Sequence, residues 1–505
     1  MEIAGKPTVT LGFSDQITFF RNVALNNGCP NIRFVNVPRV GSGAERIAVF
    51  WDSMVKALTD PLTSKEKEAG LYSPAAPPRV LFEGTLDEAQ DFLQQTVLVE
   101  NCRNCPIAKY TDGLPVIIPT EEKVAAMLTG TKHKPSEIVG TAWASPASAF
   151  NPTGTPAGSQ IIFAQKFTAT VEKVAVTAVM AGCKPQYMPV ALAIATSGGG
   201  STDCPGTSSA SDKVFIVSGP IAKEIGMNSG QEAMDVGNPA NMTLGRVGAI
   251  MTVNFGGCIT GLVRSDNGNP IHSVCFAEDL DGLPSGWVGL NQESVHYDET
   301  TKANVNYTSK ESVIMKLTTA MSHWMLVQQH APGSYRQMNS GVGGVALRIY
   351  NRSLELGLDV LPMGVQGPRN WLLTVMPDLS KEYGVPAGGH TSVFHPNMAY
   401  WLWEYGFKTK EQAYRWMENT FWTTVKWVKA AGWFEFMYEG GRAIESTSGK
   451  AWNDLPDDYK IRAMGSPTQT PSSNCFIVAN GIGADELVYT FAQGRSGTYA
   501  IDPWK

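Results

Sequence analysis

The chain has 505 residues with a net charge of −6; 43% of its residues are hydrophobic and 17% are charged. This length predicts two or three packing units, and the hydrophobic content supplies a large core and argues against disorder. Without a Lys/Arg cluster or an apolar run of about 18 residues, we expect neither a nucleic-acid partner nor a membrane span. The low charged fraction suggests that some surface is buried between subunits. The first residues resemble no secretory signal, so we expect a cytoplasmic protein.

The first predicted unit, residues 1–72, is a small α/β unit. It alternates two strand candidates, PTVTLGF and NIRFVNVPR, with two amphipathic helices, DQITFFRNVALNNG and AERIAVFWDSMVKALTDPL. Gly28 is a natural end for the first helix. Two strands and two helices are too few to bury their own sheet. We therefore expect this unit to pack against the rest of the chain or against a partner.

A linker and a helix with a C-x-x-C motif follow at residues 73–112. SPAAPPR is a Pro-rich hinge, and LFEGTLDEAQDFLQQTVLVE is expected to be largely helical. The C-x-x-C pair is Cys102 and Cys105. This spacing suits a redox dithiol and supplies two zinc ligands, although no second pair completes a tetrahedral set, and a structural role stays open. With 8 cysteines in 505 residues, we expect mostly reduced thiols.

We expect residues 113–505 to form the main α/β region, as one body or as two subdomains. Thr120 is expected to cap a helix, and Gly182 to end the buried helix of TVEKVAVTAVMAGC. The Ser/Gly-rich loop at 197–212 is typical of a lid, a binding loop or a disordered segment.

A loose repeat of strand, Gly/Pro/Asn turn and helix occurs in this main region. The three copies are KVFIVSGPIAKEIG (213–226), HTSVFHPNMAYWLWEYG (390–406) and SNCFIVANGIGADELVYTF (473–491). Each copy would bring turn amides to the carboxyl end of a strand, where open α/β sheets bind their ligands. Ordinary connections between strands and helices would give the same pattern.

Amide and hydroxyl donors and one arginine lie in and after the first strand–turn–helix copy, and one further amide lies in the third. They suit a substrate that carries a carbonyl or carboxylate. An Asn/Gly-rich turn that caps a helix explains the same residues. The predicted substrate-binding residues are Gly219, Asn228, Ser229, Asn241, Arg246 and Asn480.

Three further residues are candidates for catalysis. Cys258 follows two glycines at the end of an expected strand, AIMTVNF, and could be an exposed nucleophile. Glu278, beside Asp279, could act as an acid or base, although paired carboxylates are usually surface groups. His395 occupies the turn of the second copy and is the best-placed histidine. The sequence gives no metal site, and the cofactor stays unknown.

Several phrases resemble an uncharacterised bacterial family, the UGSC-type (seleno)proteins. They include TDGLPVIIPTEEKVAAMLTGT, TVEKVAVTAVMAGCKPQYMPV and NPANMTLGR, and they cover most of residues 80–300. The opening unit is similar to the second half of the small UGSC domain, in which a reactive Cys/Sec loop comes first. This chain has no such motif. The resemblance therefore implies a separate small subunit that supplies the reactive thiol or selenol.

Three functions remain open from the sequence. The first is a thiol- or selenol-dependent redox enzyme acting on a small organic molecule with such a partner subunit. The second is a hydrolase or lyase that depends on a metal or on acid/base groups such as His395 or Glu278. The third is a non-catalytic binding or scaffold subunit of an oligomer, with the Trp-rich 401–433 segment as its interface.

Overall fold

The computed structural model mixes helices and strands, which confirms the general α/β class. It describes residues 5–14, 17–26, 28–38, 43–68, 78–99, 103–142, 155–163, 168–199, 212–262, 274–298, 300–319, 325–329, 391–394, 396–404, 406–420, 422–426, 442, 448–462, 475–479, 486–491 and 497–505. Within these ranges, no helix has both the length and the apolar composition needed to cross a bilayer.

The first unit has the predicted strand–helix–strand–helix order. Its elements are β1 (Thr10–Gly12), α1 (Ile17–Asn26), β2 (Phe34–Asn36), α2 (Gly43–Thr59) and α3 (Ser64–Lys67). β1 and β2 are parallel, and α2 packs on β2. Gly28 follows α1 with φ 79°, a left-handed conformation that suits glycine, as predicted.

The segment that we expected to be largely helical is only half helical. Its elements and those that follow are α4 (Leu86–Leu93), β3 (Thr96–Val99), β4 (Cys105–Ala108) and α5 (Glu121–Leu128). The β-branched TVLV sequence pairs with β4 as an antiparallel hairpin, so the helix ends before it. The cap at Thr120 is confirmed, because its side chain accepts a hydrogen bond from Lys123 N.

A buried helical layer precedes the main sheets. The next elements are α6 (Val171–Ala181), α7 (Met188–Thr196), β5 (Asp212–Ser218), α8 (Ile221–Glu224), α9 (Pro239–Asn254) and β6 (Val274–Ala277). Gly182 ends α6 with φ 89°, as predicted. The expected strand AIMTVNF is wrong, because it forms the end of α9. That helix begins at Asn238, whose side chain accepts from Asn241 N, and Pro239 occupies its first turn.

The remaining elements complete two main sheets and two small two-stranded sheets. They are α10 (Leu290–Glu293), β7 (Val295–Asp298), β8 (Ala303–Asn306), β9 (Val313–Thr319), β10 (Met325–Gln329), β11 (Thr391–Phe394), α11 (Pro396–Glu404), α12 (Lys410–Thr420), β12 (Trp422–Thr424), β13 (Lys460–Arg462), β14 (Cys475–Val478), β15 (Glu486–Phe491) and β16 (Thr498–Ala500).

The two main sheets have the same topology. The first has the strand order β16-β9-β5-β6, and the second has β10-β15-β11-β14. In each sheet the last strand is parallel to its neighbour, and the other two contacts are antiparallel. Each sheet takes its first strand from the other half of the chain, because β10 follows β9 and β16 follows β15 in sequence.

The registers of the two sheets also correspond. Phe215 faces Cys275 in the first sheet, and Thr391 faces Cys475 in the second. Phe215 and Thr391 each lie five residues before the proline that follows the strand (220 − 215 and 396 − 391). The topology and the register therefore describe an internal duplication with exchanged strands.

The first sheet lies between the helices and the second sheet. Phe215 and Val217 of β5 pack into the core made with α6, α7 and α9. Val214 and Ile216 point the other way, into a core shared with Val393 and other residues of the second sheet. This alternation is the period of two expected of a strand buried on both faces.

Two of the three predicted strand–turn–helix copies are confirmed, as β5–α8 and β11–α11. The third is only half right. Its strand is β14, but residues 486–491 form the strand β15, because ELVYTF is rich in β-branched and aromatic side chains and pairs with β10 and β11. Most of the predicted lid at 197–212 lies outside the described residues.

Candidate functional site

The carboxyl ends of β5 and β6 carry a serine and a glutamate in direct contact. Ser218 is the last residue of β5, and Glu278 follows β6. Ser218 Oγ donates to Glu278 Oε2 at 2.7 Å, and both residues are buried. The parallel pairing of the strands brings the two side chains to one edge.

The strand ends of the second sheet meet this edge. Asp279 N donates to Val478 O, the last residue of β14, at 2.7 Å. A Cβ atom placed on Gly282 would lie 3.1 Å from Cγ of Pro396, the first residue of α11 after β11. The carboxyl ends of β5, β6, β11 and β14 therefore converge; we call this region the junction.

A buried lysine bridges the two halves of the chain at the junction. Lys410 Nζ lies 3.2 Å from Glu278 Oε1 and 3.4 Å from Glu293 Oε2, and its side chain is 1% exposed. Burial disfavours the charge on Lys410, but the two carboxylates outweigh that effect and hold its pKa above the ordinary value. Lys410 is therefore a cation, not a base or a nucleophile.

The first turn of α12 fixes Lys410 in place. Thr409 Oγ1 accepts from Gln412 N, and Gln412 Oε1 accepts from Thr409 N, a reciprocal cap at the start of the helix. One turn later, the Tyr414 hydroxyl accepts from Phe476 N of β14 at 2.9 Å. The start of this helix is thereby attached to the second sheet.

The Glu278 carboxylate accepts hydrogen bonds from three neighbours. Besides Ser218 and Lys410, it accepts from Leu290 N at 2.7 Å. Asn291 N donates to Ser218 Oγ at 3.1 Å, which closes the network. These three donors hold the carboxylate at the strand ends, a geometry that suits a positioning role. Sequence analysis found Glu278 but missed its partner Lys410.

Gly219 follows Ser218 in a conformation that only glycine adopts easily. Its φ is 121°, and a Cβ atom would lie 2.5 Å from Glu311 O and 2.6 Å from Ser312 Cα. Ser312 Oγ accepts from Ile221 N at the start of α8. Gly219 therefore permits close backbone packing at the junction.

The predicted amide donors form a separate structural cluster. Asn241 Oδ1 accepts from Asn228 N, while Asn241 Nδ2 donates to Asn228 O and Ala233 O. Asn228 Oδ1 accepts from Gly230 N, so the half-buried Ser229 lies inside an Asx turn. These bonds fold the loop before α9 and use the amides internally.

Arg246 is also engaged within the protein. Its Nε and one terminal nitrogen donate to the two carboxylate oxygens of Asp112 at 2.8 and 2.9 Å, and that nitrogen also donates to Leu114 O and Pro115 O. A bidentate pair of this kind attaches the loop before α5 to α9. Nε and one terminal nitrogen of Arg246 thus have structural roles within the protein.

The described thiols differ in state. Cys258 is buried and disulfide-bonded, so it is not a free nucleophile. Burial raises the pKa of the Cys183 thiol to about 12 and raises the pKa of Cys275 as well, which keeps both protonated. Cys105 is a free, half-buried thiol at the start of β4.

Three predicted site residues, Cys102, His395 and Asn480, lie outside the described residues. In the described part of the chain, no three His, Cys, Asp or Glu side chains are grouped to hold a metal ion. No protein-family model, curated protein or solved structure matches this chain. The resemblance to the UGSC-type family therefore stays a prediction.

Proposed function

We propose that this chain is an enzyme that acts on a small organic molecule at the junction. The observation that carries the proposal is the convergence of four strand ends from two duplicated sheets, with Asp279 N bonded to Val478 O. Carboxyl ends of parallel strands are the usual ligand sites of α/β sheets, because turn amides and helix N-termini face the same space. The site is asymmetric, because the equivalent strands β5 and β11 end in different residues, Ser218 and Phe394.

The proposed chemistry is general acid–base catalysis, as in a hydrolase or lyase. His395 directly follows β11 and precedes Pro396 in sequence, and an imidazole titrates near neutral pH. Glu278 acts in this proposal as a positioning residue, because its contacts with Ser218 and Lys410 hold the strand ends.

A second candidate is thiol redox chemistry with a small Cys- or Sec-bearing subunit. Cys105 is free, and it follows two left-handed residues, Arg103 (φ 56°) and Asn104 (φ 58°), in the β3–β4 hairpin. The turn therefore folds back tightly between the two cysteines of the C-x-x-C motif. Oxidation of Cys102 and Cys105 to a disulfide releases two electrons and two protons, which a disulfide of the substrate or of the partner would take up.

Reciprocal variants separate the two candidates. Purified protein is incubated with pooled small esters, amides, hydroxy acids and disulfides, with and without a chelator, and the products are followed by mass spectrometry. We expect His395→Asn to lower turnover about 100-fold or more, and Cys102→Ser/Cys105→Ser to leave it within about twofold.

Three other outcomes of this experiment would each favour a different function. Loss of turnover only in the double cysteine variant would replace the acid–base proposal with the redox candidate. No turnover in any pool, together with co-purification of a stable partner protein, would favour the scaffold function and reject an enzyme. Loss of turnover with the chelator and recovery with added metal would identify a metal-dependent hydrolase or lyase.

A further inference from the structure

Helix α2 has an apolar stripe on its outer side, beside the side that packs on the N-terminal sheet. Partly buried Phe50, Met54 and Ala57 make up the inner side. The outer stripe, which we call the α2 stripe, is Ile47, Trp51, Val55 and Leu58, with exposed fractions of 48%, 51%, 37% and 44%.

The spacing of the α2 stripe places its four side chains on one line along the helix. Steps of four, four and three residues stay on one side of an α-helix and span about 16 Å at 1.5 Å per residue. The described charged residues of α2 are Glu45, Asp52 and Lys56. They lie roughly 100° or more around the axis from the stripe centre. The stripe therefore carries no charge, as at the centre of homodimer interfaces.

The area of the α2 stripe is comparable to the largest apolar patch of a typical soluble protein, which is often a binding surface. Half-exposed side chains of this size leave roughly 300–400 Å² of apolar surface in water. A stable dimer buries about 800 Å² on each partner, so the stripe alone would provide nearly half of that area. The first unit adds the exposed Leu11 and Leu25.

The neighbouring sheet is also incomplete. Among the described strands, β1 pairs only with β2, and β2 pairs only with β1. Parallel sheets are normally covered on both faces, and a two-stranded sheet is marginal by itself. The chain as a whole has 17% charged residues, against about 25% in an average soluble protein. The incomplete sheet favours burial of this unit in an assembly, and the low charged fraction of the whole chain suggests buried surface without locating it.

We propose that the α2 stripe is the contact between two copies of this chain. A single uncharged stripe is self-complementary: a twofold axis across α2 pairs it with the same stripe of a second copy as two antiparallel helices. Trp51 lies near the middle of the stripe and would be the central anchor of the contact.

The test compares two substitutions by glutamate on the same helix, Trp51→Glu and Val49→Glu. Trp51→Glu places a charge in the stripe. Val49→Glu places the same charge on the far side of α2, where Val49 is 71% exposed. Full-length proteins are studied by light scattering and sedimentation over a concentration series, with circular dichroism to verify folding. Leu58→Glu serves as a second stripe variant if Trp51→Glu does not fold.

We expect the unmodified protein and Val49→Glu to be dimers with similar dissociation constants. The stripe variants should raise the dimer Kd at least about 30-fold. A monomeric unmodified protein at all concentrations would overturn the proposal, as would a dimer that tolerates Trp51→Glu and Leu58→Glu. Release of a different polypeptide by Trp51→Glu would assign the stripe to that partner and equally reject the second copy.

Discussion

Replacement of Lys410 by methionine tests whether the buried charge cluster holds the two halves of the chain together. The side chain is 1% exposed, and its nitrogen lies 3.2 Å from Glu278 and 3.4 Å from Glu293. Methionine fills a similar volume but removes the cation that lies beside Glu278 and Glu293. Removing one partner of a buried ion pair costs about 3–5 kcal/mol, chiefly through the charge left behind. We expect the free energy of unfolding to fall by about that amount.

Urea denaturation, followed by fluorescence, measures the change. The matched control is Lys223→Met, which removes a lysine whose ion pair with Asp281 is 72% and 74% exposed and should cost at most about 1 kcal/mol. The double variant Lys410→Met/Glu278→Gln should recover part of the loss. A Lys410→Met protein within about 1 kcal/mol of the original would refute the reasoning.

The same ion pair fixes the sign of the response to alkali. The pKa of Lys410 is raised in the folded protein, against an ordinary value of 10.5. Its contribution to stability is therefore complete below pH 10.5 and is lost as the pH rises through the raised value. The stability difference between the original protein and Lys410→Met should stay constant from neutral pH to about pH 10.

Three other changes follow from single contacts. Gly219→Ala should lower the free energy of unfolding by about 1–3 kcal/mol or more, because φ is 121° and a backbone oxygen would lie 2.5 Å from the new Cβ. Gly226 lies in open space at φ 73°, so Gly226→Ala should lower it less. Equal urea midpoints for the two variants would contradict this. Arg246→Lys should lower stability by about 1–2 kcal/mol by losing the bidentate pair, seen as a lower Tm. The hydrogen bond from Arg33 lowers the pKa of Glu66 from 4.5 to about 2. That link should stabilise the first unit above pH 4.5 and weaken as the pH falls towards 2. Arg33→Ala should reduce this change in hydrogen exchange without abolishing it, because hydrogen bonds from Thr63 also lower the pKa of Glu66.

Local signals in the sequence predicted the elements that depend on local chemistry. Thr120 caps α5 and Gly182 ends α6 because capping needs only the next few residues. The errors fell on apolar runs. AIMTVNF and ELVYTF are both short and mainly apolar, so periodicity alone does not separate helix from strand. Their states are decided by the cap at Asn238 and by pairing of β15 with distant strands.

The candidate site was predicted in part. Strand-end position identified Glu278, Gly219 and their neighbours, and the junction unites these two. Lys410 is 132 residues from Glu278, and no spacing rule connects them. One local signal did exist, because a lysine in the first turn opposes the helix dipole and requires a compensating anion. Asn241 and Arg246 have the expected donors, but local and long-range protein acceptors occupy them.

The strand exchange explains why these long-range contacts matter for the site. The first sheet is completed by β16, and the second by β10, so neither half of the chain holds all the strands of its own sheet. The two sheets, which share one topology, therefore pack face to face. Their parallel strand pairs, β5–β6 and β11–β14, both end at the junction. The two equivalent strand ends differ in their residues, because Ser218 lies at one and Phe394 at the other. Glu278 beside the first of these ends contacts Lys410 from the other half of the chain, which makes the junction asymmetric and charged.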